Sequence, residues 1–146
     1  METNTDSKPN FIDDKDPVRV LGFLQAGATL NLTMHGEVRP LFFIFTESDM
    51  VPVVPDFSDA AAKEESFELA RKTARELGAW AFAVVCEAWL SKGTETQLDG
   101  LVIALYTTDG LSLRQLGTVK GHKVEWELPQ VDVSEPSFFG REEAAS

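Results

Sequence analysis

Residues 79–90, AWAFAVVCEAWL, form an apolar run that contains a single acid, Glu87. At the even positions from Trp80 to Cys86 the side chains are bulky, whereas the odd positions begin with three alanines. Because successive side chains of a strand point to opposite faces, this pattern predicts a strand buried on both faces, with an alanine face that a helix can approach closely. The chain must therefore fold around a sheet that is covered on both sides.

Two segments carry helical periodicity. After Asp16-Pro17, a cap followed by proline at the first helical position, five apolar residues recur at helical spacing: Val20, Leu21, Leu24, Ala28 and Leu32. A strand that begins between Ala28 and Met34 is the alternative. The second helix is predicted over 60–77, capped by Ser58 or Asp59 and closed by Gly78, and its inward stripe comprises Phe67, Ala70, Ala74 and Leu77.

The remaining segments have the composition of strands. A strand is predicted over residues 40–46, followed by a proline-containing edge strand over 50–54. A hairpin is predicted further on, in which the turn Thr108-Asp109-Gly110 joins a strand over 101–107 to a strand over 111–119. Residues 123–128 alternate between charged and apolar side chains. The sequence thus predicts an α+β fold with a mostly antiparallel sheet in the order α-β-β-α-β-β-β-β. We expect one domain over 17–129, an acidic arm over 1–16 and an acidic tail over 130–146 in which Phe138-Phe139 could dock.

Two further strands, 41–45 and 101–106, are apolar on both sides like 79–90. An open antiparallel sheet usually exposes one face to water, so these strands need two covers. Either each helix covers one face, or both helices share one face and a second copy of the chain covers the other. A homodimer is the commonest closed solution for such a face, and we expect one.

Charge and composition exclude several classes of function. The net charge of −11 lies mostly at the ends, where residues 1–16 carry −3 and 125–146 carry −5. No cluster of Lys and Arg stands free of acids, so no nucleic-acid partner is expected. The N-terminus lacks the pattern of a signal peptide, no apolar run reaches the roughly 18 residues of a membrane span, and Cys86 is the only cysteine. These features predict a cytoplasmic protein with no membrane partner.

Glu87 is the candidate catalytic residue. A carboxylate in an apolar strand next to Trp89 should have a raised pKa, which general acids and bases use. The structural alternative is that Glu87 lies where the strand leaves the core and pairs with Arg, Lys or backbone donors. Cys86 points to the opposite face, so these neighbours cannot act as a local pair. A Cys-His dyad with His35 or His122 is possible in space, but nothing in the spacing indicates it.

No cofactor or metal is predicted. The chain has no phosphate-binding glycine motif and too few His and Cys for a zinc site. His35, just before Gly36, is expected to complement the C-terminal end of the first helix.

In one segment of the chain a helix ends at Gly78, an apolar strand ends in Glu87-Ala88-Trp89, and a second apolar strand at 101–105 leads to Asp109-Gly110. This segment resembles small hypothetical proteins of bacteria and their phages. The resemblance covers about residues 60–110. It implies no established activity and transfers no functional residue. The order of elements is also similar to that of roadblock-type and secretion-chaperone-like domains, which are small acidic α+β dimers that bind other proteins.

The leading hypothesis is therefore a non-catalytic, homodimeric, cytoplasmic domain that binds another protein. One alternative is a hydrolase-like enzyme that uses Glu87 as a general acid or base. The other is a small-molecule binding module with a pocket lined by aromatic side chains.

Overall fold

The computed structural model describes residues 15–88, 100–121 and 123–131. The elements follow one another as α1 (Pro17–His35), β1 (Leu41–Phe45), β2 (Met50–Val53), α2 (Ala60–Leu77), β3 (Ala81–Ala88), β4 (Gly100–Thr107), β5 (Ser112–Lys120), β6 (Lys123–Trp126) and β7 (Gln130–Val131). The predicted α+β fold and its order of elements are confirmed, and the two-residue β7 follows them. Trp89, His122, Phe138-Phe139, the arm up to residue 14 and the tail from residue 132 lie outside the described residues.

All strand pairs are antiparallel, in the order β2-β1-β3-β4-β5-β6. The strand β2 carries Pro52 and lies at one edge, as its proline predicts. At the other edge β5 pairs first with β6 and then with β7. In the segment between β6 and β7, the carbonyl oxygen of Glu127 accepts a hydrogen bond from the side-chain amide of Gln115 at 2.6 Å. This bond links the segment to β5.

Both helices begin and end where the sequence predicts. The side chain of Asp16 accepts from the N–H of Val18 with Pro17 at the first turn, and Asp59 accepts from the N–H of Ala62. Gly36 and Gly78 end the helices in the left-handed conformation, with φ of 74° and 67°. The five apolar residues predicted for α1 are all buried. Among these described helices, neither is long and apolar enough to cross a membrane.

One helix packs on each face of the sheet. The apolar stripe of α1 packs on the side chains of Phe45, Ala83, Ile103 and Leu105. Ala70 and Ala74 of α2 pack on the other face, with Phe42 and Phe82. Of the two arrangements considered above, the structure therefore has a separate helix for each face. A second copy is not needed to cover a bare face, so the reason given for expecting a homodimer does not hold.

Two side chains lie elsewhere than predicted, and one charged side chain of α2 is buried. Trp80 was expected to share a face with Phe82, but it packs with Phe45 on the α1 side because the regular alternation of β3 begins only at Ala81. Leu77, expected to point inward, is 47% exposed, because it lies in the last turn of α2. Arg71 takes a buried position on that helix and lies 3.4 Å from the carboxylate of Glu68.

Candidate functional site

Glu87 is exposed, although the strand that carries it is predicted to be buried on both faces. The register explains why: β1 begins at Leu41, which pairs with Val85, so β3 runs past the end of β1 before it reaches Glu87. The carboxylate oxygen Oε2 accepts a hydrogen bond from the backbone N–H of Val38 at 2.9 Å. This is a backbone donor of the kind named in the structural alternative. Its catalytic role stays a prediction.

The contact with Val38 gives Glu87 a positioning role. Val38 is 3% exposed and lies in the connector 36–40 between α1 and β1, and its side chain belongs to the core under α1. Without the carboxylate, a buried N–H would lose its acceptor, and an unsatisfied buried donor is costly. Glu87 therefore fixes the path of the connector.

We expect Glu87→Ala to lower the free energy of unfolding by about 1–2 kcal/mol, because the N–H of Val38 loses its acceptor. Glu87→Gln keeps an acceptor oxygen and should cost at most about 0.5 kcal/mol. Urea denaturation measures both. Glu125→Ala, which removes an acid in an exposed pair 3.0 Å from Lys120, is the matched control and should change stability by less than about 0.5 kcal/mol. Equal losses for Glu87→Ala and Glu87→Gln would contradict the positioning role.

Cys86 and His35 do not come together in the structure, and His122 lies outside the described residues. Cys86 is half-buried on the α2 face, whereas His35 is exposed at the end of α1, on the other side of the sheet. Burial raises the pKa of the Cys86 thiol, and the positive charge of Lys63 only partly counteracts this. A thiol with a raised pKa is a poor nucleophile at neutral pH. No group of three or more His, Cys, Asp or Glu that could hold a metal occurs in residues 15–88, 100–121 and 123–131.

The outer side of α1 is unusual for a surface helix. Residues 20–34 contain no Asp, Glu, Lys or Arg, although a quarter of the chain is charged. Four apolar residues at helical spacing are exposed and form what we call the α1 outer face: Phe23, Ala26, Leu30 and Met34. Leu30 is 58% and Met34 is 66% exposed. By contrast, the exposed side of α2 carries alternating acids and bases, as a solvated helix does.

A groove borders the α1 outer face on its β6 side. It has a volume of about 520 Å³ and is lined by Gly22, Gln25, Ala26, Thr29, Leu30, Thr33 and Trp126. Gln25, one of these lining residues, donates from its amide to the side chain of Gln115, which is 4% exposed. We call this the Trp126 groove. Beyond it, Val131 pairs with Leu113 and is 58% exposed.

A smaller cavity borders α1 on the β1 side. It has a volume of about 120 Å³ and is lined by Phe23, Leu24, Gly27, Ala28, Asn31, Val38, Arg39, Leu41, Phe43 and Val85. We call it the apolar hollow, because all of these residues except Asn31 and Arg39 are apolar. The same two residues and Leu41 also line a larger groove of about 590 Å³ with His35, Glu37, Pro40 and Val54. The apolar hollow therefore opens into a polar mouth.

The sequence reasoning missed these surfaces of α1. The uncharged stretch 20–34 is visible in the sequence and could have indicated the outer face. The apolar hollow has no such signal, because it combines residues of α1, β1, β3 and the connector. Comparisons of the chain with protein-family models, curated proteins and solved structures found no match.

Proposed function

We propose that this chain is a non-catalytic, cytoplasmic protein-binding domain that pairs with a second copy of itself through the α1 outer face. The observation that carries the proposal is the exposed, uncharged side of α1. A surface helix normally carries charged and polar residues on the side opposite the core, whereas the exposed side of α1 carries no charge over residues 20–34. Interface cores are depleted of charge and enriched in Phe and Met, which is the composition of this face.

Charge favours a second copy as the partner. At a net charge of −11, two copies repel each other over most orientations. When the two α1 outer faces meet, residues 20–34 bring no like charges together. A two-fold contact would also place each Leu30 against the same patch of the other copy, which is the self-complementary geometry of most dimers.

The area needed for a stable dimer defines how far the contact extends. A helix of 19 residues is about 28 Å long and about 10 Å wide, so its outer strip offers roughly 300 Å². A standard interface buries roughly 800 Å² on each partner. The contact must therefore include the Trp126 groove, into which Met34 of the second copy could insert, and the exposed apolar edge at Val131.

Leu30→Glu tests the proposal. In a symmetric dimer the substitution buries two charges, and we expect the dissociation constant to rise about a hundredfold, which corresponds to about 2.7 kcal/mol. Sedimentation equilibrium of the full chain over a range of concentrations measures it. Because Leu30 is exposed, the monomer should keep its fold, which circular dichroism checks.

Leu69→Glu is the matched control, since Leu69 is 62% exposed on the charged side of α2. It should leave the dimer intact. Wild-type protein that stays monomeric at high concentration would overturn the proposal, and so would a Leu30→Glu variant that dimerises as tightly as Leu69→Glu.

A further inference from the structure

The apolar hollow has room for one small apolar group. Its volume is about 120 Å³, and a Cβ added at Gly27 would meet nothing within 4 Å. An apolar cavity of about 150 Å³ is known to take up benzene. The hollow therefore fits a group between a branched aliphatic side chain and a single aromatic ring.

The mouth of the hollow carries opposite charges side by side. Nε of Arg39 donates to Oε2 of Glu37 at 3.0 Å, and the side chains of Arg39 and Glu37 are 85% and 52% exposed. The guanidinium has further N–H groups and the carboxylate has a second oxygen, so each can bind another group. Asn31, between them and the hollow, offers both an amide donor and an acceptor.

We propose that the hollow binds a free apolar α-amino acid of the size of leucine or phenylalanine. Its side chain occupies the hollow, its carboxylate binds Arg39, and its ammonium group binds Glu37. An α-amino acid carries both charges on neighbouring atoms, which matches a mouth with one cation and one anion in contact. A purely anionic ligand at Arg39 would lie beside the like charge of Glu37, and a purely cationic ligand at Glu37 would lie beside the like charge of Arg39.

The wall of the hollow is already held in place. The hydrogen bond from Val38 to Glu87 fixes the connector that carries both Val38 and Arg39. A site that is ordered before the ligand arrives loses less conformational entropy on binding. The hollow shares Phe23 with the α1 outer face, but it lies on the β1 side of α1, away from the Trp126 groove, so the proposed ligand goes beyond the proposed pairing of two copies.

Three probes that share the same apolar group test whether Arg39 binds the carboxylate and Glu37 binds the ammonium group. L-Leucine has both charges, 4-methylpentanoate lacks the ammonium group, and isopentylamine lacks the carboxylate. We expect L-leucine to bind the ¹⁵N-labelled full chain with a dissociation constant of about 1 mM, as suits so small a ligand. The other two should bind at least tenfold more weakly. Amide chemical shifts of Gly27, Val38 and Arg39 report binding.

Variants test the position of the site. Gly27→Leu fills the hollow and should abolish the shifts, whereas Gly22→Leu, in the same helix but outside the hollow, should keep them. Arg39→Gln should make L-leucine bind no better than isopentylamine. The proposal is overturned if L-leucine causes no shift at about 10 mM, if the three probes bind equally, or if Gly27→Leu binds L-leucine as tightly as Gly22→Leu. None of these readouts is the oligomeric state, so a failure of this proposal can be told apart from a failure of the proposed pairing.

Discussion

Phe42→Ala should lower the free energy of unfolding by about 3–5 kcal/mol. Phe42 is fully buried in β1, and its ring centroid lies 4.9 Å from that of Phe67, 5.0 Å from that of Phe82 and 5.9 Å from that of Phe57. The substitution removes the ring at the centre of this aromatic cluster and leaves a cavity between α2 and the sheet. Urea denaturation followed by far-ultraviolet circular dichroism measures the loss.

Phe42→Leu is the matched control, because it keeps most of the apolar volume. It should cost only about 1–2 kcal/mol. A loss for Phe42→Ala no larger than that for Phe42→Leu would mean that the aromatic cluster does not hold α2 on the sheet.

The helices and most strands could be predicted because their signals are local. The spacing of Val20, Leu24 and Ala28 defines the buried side of α1, and Asp16 and Gly36 define its ends. Periodicity and capping depend on residues within a few positions of each other. Such local signals can be recognised without knowledge of the tertiary contacts.

The sheet face on which a side chain packs was harder to predict, since it depends on the residue at which the strand begins. Trp80 lies one residue before β3, and a chain that is not yet extended does not follow the alternation. The periodicity of each helix likewise identified its buried side but not the face of the sheet on which the helix packs. Two helices on two faces and two helices on one face give the same pattern.

The environment of Glu87 depends on contacts between distant segments. Its neighbours are set by the register of β1 and β3 and by the connector that brings Val38 to its carboxylate. Neither is encoded near residue 87. The apolar hollow is non-local in the same way, because Gly27, Val38 and Val85 come from three separate segments.

Gly117 shows how such a long-range contact can reverse a local preference. It lies inside β5, where valine normally stabilises a strand relative to glycine. A Cβ at this position, however, would lie 2.7 Å from an indole carbon of Trp126 and 2.7 Å from Cγ1 of Val124. The ring of Trp126 thus rests on the backbone of its strand partner.

We expect Gly117→Val to lower the free energy of unfolding by about 3 kcal/mol, because the added side chain must displace the indole from the edge of the sheet. Gly22→Ala is the control: its Cβ meets nothing within 4 Å, and in a helix interior it should stabilise by about 0.5–1 kcal/mol. In a Trp126→Ala background the cost of Gly117→Val should fall, since two of the three closest contacts involve the indole. A Gly117→Val variant as stable as the wild type would show that Trp126 does not pack over β5, and the Trp126 groove would then lack its wall.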